Sequence, residues 1–252
     1  MSLTSKQILS QWKKLMSIVQ ENFSGEQREN IKQLFNHFEG RFIDAPASSR
    51  PQYHNCFIGG LLDHTVRVID TAVDIYEQFI NMGVHVTATK QDVVMSAMFH
   101  DLGKIGDINN SYYILQTDEW RRNKLNEWYT FNNKLEPMSV TDRGLWLLQY
   151  FNIDLSPEVW KAIKLSDGMF DKGNEYLFRQ PDTRNILHYI THFADWISTV
   201  AEKQFYQQSL DIDTTEGANG NAHLSKKDTT SENDSDSNIV DLKKKFDELF
   251  DN

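Results

Sequence analysis

Four side chains have the types and placement that bear most directly on chemistry: His64, His100, Asp101 and Asp195. Two belong to the stretch Val93–Lys104, VVMSAMFHDLGK, where a nearly unbroken apolar run ends in His100 and Asp101. A run this long, with Ala and two Met, predicts a buried helix rather than a strand, and Gly103 is expected to stop it. Burying a histidine and a carboxylate without partners costs several kcal/mol. The partner is either a divalent metal ion or a hydrogen-bonded network. Two histidines and two carboxylates make a mixed nitrogen and oxygen set suited to Mn²⁺, Fe²⁺, Co²⁺, Ni²⁺ or Zn²⁺, with Mg²⁺ admitted and Ca²⁺ less suited.

Helices are the elements that must position these groups. Residues Leu3–Phe23 carry Ile8, Leu9, Trp12, Leu15, Met16, Ile18 and Val19 near helical spacing, and Ser24–Gly40 reads as a second helix stopped by Gly40. A Pro- and Ser-rich loop, Asp44–Pro51, leads to Tyr53–Gly60, where two adjacent glycines predict a close backbone approach. A helix over about Leu61–Phe79 places His64 within the stripe Leu61, Val68, Ala72, Ile75 and Phe79. Taken alone, a histidine there is a satisfied core residue.

Asp107–Glu136 is polar and aromatic: a lid, a substrate-facing insertion or a loosely packed helical connector. Helices follow over Val140–Phe151 and Pro157–Leu165, the latter with Ser156 as N-cap and Pro157 at its first position. Ser166–Pro181 reads as a loop. The last core helix is expected to begin near Thr183, with His188, His192, Asp195 and Thr199 on one face and Ile186, Ile190, Phe193 and Ile197 on the neighbouring apolar face.

The chain has 252 residues and a net charge of −10. From Asp211 onward eleven acids face five bases, a net −6, so the body carries only −4. A mildly acidic body lacks the global basic face of non-specific nucleic-acid binders. One cysteine, Cys56, permits no internal disulfide and indicates a reducing compartment, and no stretch has the length of a membrane span. A cytoplasmic protein is expected. Residues 1–210 form the all-helical body, with N-terminal helices over 3–40 and a core over about 45–205. Residues 211–238 lack aromatics and read as a disordered acidic linker, and 239–252 reads as a short amphipathic helix. Such a helix either docks on its own domain or engages a partner, and FDELF is loosely similar to the peptides with which replication proteins bind sliding clamps.

The order His…His-Asp…Asp in an all-α chain resembles the HD superfamily of metal-dependent phosphohydrolases. Ala45–Thr65, APASSRPQYHNCFIGGLLDHT, is similar to the segment before the first metal ligand in HD-type 3′→5′ exoribonucleases. FHDLGKI at Phe99–Ile105 and HFAD at His192–Asp195 are similar to the second and last motifs. The resemblance implies a helical HD bundle in which His64, His100, Asp101 and Asp195 ligate one divalent ion. It also implies that Lys104 meets a phosphate oxygen and that His54 and His192 line the pocket. Ser166-Asp167-Gly168 stands where the exonuclease pattern usually has His-His-Gly, which leaves open whether Asp167 takes a second ion or faces substrate. The nucleic-acid-binding barrel of those enzymes has no counterpart in the two N-terminal helices.

The implied activity is hydrolysis of phosphoester bonds in nucleotides or short single-stranded nucleic acid, including a 3′→5′ exonuclease form. Asp101 would serve as ligand and proton acceptor, and Lys104 would neutralise charge on the non-bridging oxygens. Two alternatives stay open: a nucleotide phosphatase or triphosphohydrolase of the same superfamily, and a non-catalytic HD scaffold that works through its C-terminal peptide.

Overall fold

The computed structural model describes residues 3–179 and 185–217. The chain divides into two compact units, 1–206 and 207–252, and every residue of the candidate site belongs to the first. The protein is all-α, as its sequence predicts: nine helices and one two-stranded sheet among the described residues.

Helix α1 (Ser5–Asn22) opens with a capping box in which Thr4 and Gln7 satisfy each other's backbone amides. It buries Ile8, Trp12, Leu15 and Val19. Helix α2 (Gly25–Asp44) does not stop at Gly40; it continues for four residues because Phe42 and Ile43 are still core positions. Pro46 sets the end instead, holding Ala45 extended. Phe35 of α2 stacks on Phe99 with centroids 5.9 Å apart, and Trp12 meets Phe35 edge-on. These rings fix the floor beneath the site.

Helix α3 (Gly60–Asn81) begins at the predicted glycine pair. Gly59 has φ +79°, and a Cβ on Gly60 would lie 2.0 Å from the Asn55 carbonyl oxygen, so no side chain fits where the turn closes. Helix α4 (Lys90–Phe99), capped by Thr89 and Asp92, packs against α3 and buries every residue from Val93 to Phe99. It stops at Phe99, and Leu102–Ile105 forms a 3₁₀ turn. Gly103 is therefore not the helix stop. It lets the turn pass under the start of α6, where a Cβ would lie 1.9 Å from the Val140 carbonyl oxygen. Gly106, at φ +101°, ends the turn.

The segment 107–136 is not a helical connector. Strand β1 (Tyr113–Leu115) pairs antiparallel with β2 (Tyr129–Phe131), and a two-turn helix α5 (Glu119–Leu125) joins them. The amides of Trp128 and Tyr129 both donate to the Ser49 carbonyl, and Arg50 pairs with Glu127 at 2.9 Å. The arm is thus bound to the loop that precedes His54.

Helix α6 (Val140–Tyr150) lies over the 3₁₀ turn, and α7 (Pro157–Lys164) packs on α4 with Ser156 capping it through the Val159 amide. The segment after Ser166 is more ordered than the expected loop: two 3₁₀ turns and a short α8 (Glu175–Arg179). Lys164 draws it in, lying 2.7 Å from Asp142 and 3.6 Å from Asp171.

Helix α9 spans Ile186–Gly217, with the Asn185 side chain accepting from the His188 amide at its start. The expected beginning near Thr183 lies outside the described residues. Phe193 and Ile197 are exposed, so the predicted apolar face is displaced: Leu187, Ile190, Thr191, Ala194 and Ser198 face the core. Thr191 bonds Ser96 of α4, and Ser198 lies 3.3 Å from Thr71 of α3. The expected disordered linker begins too early, because 211–217 continue α9. The rest of that linker and the clamp-like segment 239–250 lie outside the described residues. No helix among the described residues is long and apolar enough to cross a membrane.

Candidate metal centre

Three separate pieces of chain deliver the four predicted ligands to one place. His64 projects from the first turns of α3 and is wholly buried. His100 and Asp101 follow the last residue of α4, at the bend into the 3₁₀ turn, and Asp195 comes from α9. The His64 Nε2 atom lies 3.3 Å from His100 Nε2, 3.2 Å from Asp195 Oδ1 and 3.5 Å from Asp101 Oδ2. His100 Nε2 lies 3.5 Å from Asp101 Oδ2 and 3.8 Å from Asp195 Oδ1.

These separations decide the fit to a metal. Ligand atoms on bonds of about 2.1 Å around a tetrahedral centre stand roughly 3.4 Å apart. The atoms of His64, His100 and Asp101 all lie within 4.8 Å of one another, and Asp195 reaches both imidazoles. The buried cluster can therefore hold a metal ion. Two outward hydrogen bonds aim its nitrogens. His100 Nδ1 lies 2.7 Å from the Ala97 carbonyl, which only accepts, so Nδ1 carries the proton and the Nε2 lone pair faces the cluster. His64 Nδ1 lies 3.1 Å from both carboxylate oxygens of Glu202, with the same consequence.

The electrostatics follow from burial and neighbours. Burial pushes the His64 pKa down, but Glu202 and Asp195 outweigh it and raise it to about 10. Burial alone would raise Asp195, yet the bond from His64 and the charges of His100, His64 and Lys104 hold it well below the usual carboxylate range. A proton on His64 Nε2 occupies the position where a cation would bind, so metal and proton compete there.

Lys104 Nζ lies 2.6 Å from Asp101 Oδ2. Burial opposes its ammonium, but Asp101, then Tyr113 and Asp195, push its pKa upward and keep it charged. Asp167 feels the same charges: burial, then Asp101 and Asp195, raise its carboxyl to about 6 against Lys104 and His100. The His54 ring centroid is 4.9 Å from that of His64. Its buried Nε2 has no hydrogen-bond partner among the described residues, and burial holds its pKa well below 6.5. His54 is thus a neutral imidazole beside the metal position.

His192, expected to line the pocket, is half-buried on α9. Its Nδ1 donates to the Ser166 carbonyl at 2.7 Å, clasping the Asp167 segment to α9. Gly168, at φ +56°, would put a Cβ 3.0 Å from the His192 ring, so the clasp is close. His188 is buried among the rings of Phe178, Tyr189 and His192.

Sequence reasoning missed Glu202 and Arg67. The signal was present: Glu202 is seven residues after Asp195, two turns along the same helical face. Comparison with protein-family models, curated proteins and solved structures finds no match.

Proposed function

We propose that this protein is a divalent-metal-dependent phosphohydrolase acting on nucleotides or short single-stranded nucleic acid. The observation that carries the proposal is the convergence of His64, His100 and Asp101 nitrogen and oxygen atoms, with Asp195, in a buried place beside one charged lysine. A divalent ion held there supplies Lewis acidity to a phosphoryl oxygen and acidifies water.

The protein's own groups account for the rest. His64 and His100 offer their Nε2 atoms because their Nδ1 protons are committed to Glu202 and to the Ala97 carbonyl. Asp101, one of the two carboxylate ligands, is assigned the further role of proton acceptor. Its ion pair with Lys104 keeps the ammonium 2.6 Å from a ligand oxygen of the cluster, where it offsets negative charge gathering on a phosphoryl group. His54 and Asp167 border the same space and contact substrate. We further assign the exonuclease form on the likeness of the 45–65 segment, and a cytoplasmic location on the single cysteine.

A second reading has its own observation. Each cluster residue already has a partner within the protein, so the quartet can be an ion-paired core that binds nothing. The test is a panel of single-stranded oligonucleotides, nucleoside triphosphates and monophosphates incubated with the Mn²⁺-loaded full chain. Mononucleotide release from the oligonucleotide supports the exonuclease form, and phosphate release from nucleotides supports the phosphatase. Hydrolysis of none of them by protein shown to carry metal sinks the enzymatic reading in favour of the scaffold.

A further inference from the structure

A buried charged chain runs from the candidate metal position to the turn that carries His54. The Glu202 carboxylate is 1% exposed on its side chain and takes His64 Nδ1 at 3.1 Å on each oxygen. Arg67, one turn after His64 on α3, brings its Nε to 3.2 Å from Glu202 Oε1, an ion pair without the alignment of a hydrogen bond. The same guanidinium reaches Asp63 Oδ2 through Nη2 at 3.2 Å. Asp63 accepts Asn55 Nδ2 at 3.1 Å on that oxygen and Gln11 Nε2 at 2.8 Å on the other. Asn55 is buried at φ +38°, directly after His54, and its carbonyl accepts the Ala47 amide. Both imidazoles at the site are therefore braced by one network: His64 through Glu202, and His54 through Asn55.

We infer that Glu202 is a positioning residue, and that the relay Glu202–Arg67–Asp63–Asn55 fixes the tautomer and aim of His64 and the backbone of His54. The inference rests on the metal reading above. A carboxylate can only accept, so Glu202 compels the proton onto Nδ1 and leaves Nε2 free to donate its lone pair. Burying that carboxylate without a counter-charge would be costly, and Arg67 supplies the charge from the helix that carries His64. Arg67 is one-third exposed and its guanidinium carbon lies over the Phe205 ring at 5.5 Å, so the head is covered on one face and partly hydrated. Glu202 also lies with His54 and His64 in a group whose ligand atoms are within 4.8 Å of one another, so its role as an outer brace competes with a role as a ligand. Its symmetric approach to Nδ1, on the far side of the ring from the cluster, favours the brace.

Co²⁺ titration of the full chain, followed by visible absorption, tests this. Outer partners of ligating histidines typically change metal affinity by about 10–100-fold. Glu202→Gln should weaken Co²⁺ binding by that factor while leaving the ligand-field band shape of bound Co²⁺ as in wild type. Equal affinity in both proteins overturns the inference. A changed band shape makes Glu202 a ligand and overturns it as well. Wild-type protein that takes up no Co²⁺ withdraws the metal reading, and the inference with it. Should Glu202→Gln fail to fold, Arg67→Gln, at a partly exposed position, carries the same prediction with a smaller loss; unchanged affinity there counts against the relay.

Discussion

The α3–α4–α9 junction and the arm over 107–136 differ in how far they cover their side chains. At the junction, His64, His100 and Asp101 are buried, and each meets an ionisable side chain from another element. On the arm, Leu115, Trp120 and Phe131 are 58–70% exposed, and attachment runs through the Ser49 carbonyl and the Arg50–Glu127 pair. The difference teaches where substitutions will matter. In a dry, packed region every atom has neighbours to lose, whereas an exposed ring has mostly water.

The sharpest version of this comparison is Phe99→Ala, at the last turn of α4 just before His100. Phe99 is fully buried against Phe35, so its loss should cost about 3–5 kcal/mol in urea unfolding. A cost below about 1 kcal/mol would mean that the junction is not packed as described. Next in size is Lys104→Met. With the ammonium gone, Asp101 stands beside Asp195 and Asp167 with only the His64 and His100 imidazoles to offset it, and metal-free protein should lose about 3 kcal/mol. Added Mn²⁺ should recover part of that loss by taking over the counter-charge; no recovery would count against a cation position at the cluster.

A third test uses pH. Burial raises the Cys56 thiol from 9.0 to about 12, so the reactive thiolate forms only near and above pH 12 while the chain is folded. At pH 8 folded protein should therefore react with a thiol reagent roughly a thousandfold more slowly than urea-unfolded protein, from thiolate population alone. Similar rates in both states would show that the thiol is not held away from solvent as the structure has it. The smallest effect belongs to the arm's surface: Trp120→Ala should change unfolding stability by no more than about 0.5 kcal/mol.

Much of the junction was legible because helical spacing and local caps are short-range signals. Ser156 and Pro157 start α7 as read, and His64 sits in the buried stripe of α3. Gly40 misled because glycine ends a helix only when the chain takes up the left-handed turn, and Phe42 and Ile43 gain more by staying helical and buried. Gly103 misled for another reason: its missing Cβ serves the approach of Val140, 37 residues later, which no local pattern records. The arm's strands have three residues each and are joined by a helix rather than a tight turn, so neither alternation nor a hairpin signal identifies them. Glu202 was missed because its partner, His64, is 138 residues away, although its register with Asp195 was readable.

The proposed activity requires that His64, His100, Asp101 and Asp195 hold a metal ion. Elemental analysis of the purified full chain beside Asp101→Ala, each after incubation with Mn²⁺ and removal of free ion, tests it most directly. Near-stoichiometric divalent metal in the wild type and little in the variant is the result expected from the geometry of His64, His100, Asp101 and Asp195. Absence of metal from the wild type would contradict the claim and leave these residues as an ion-paired core.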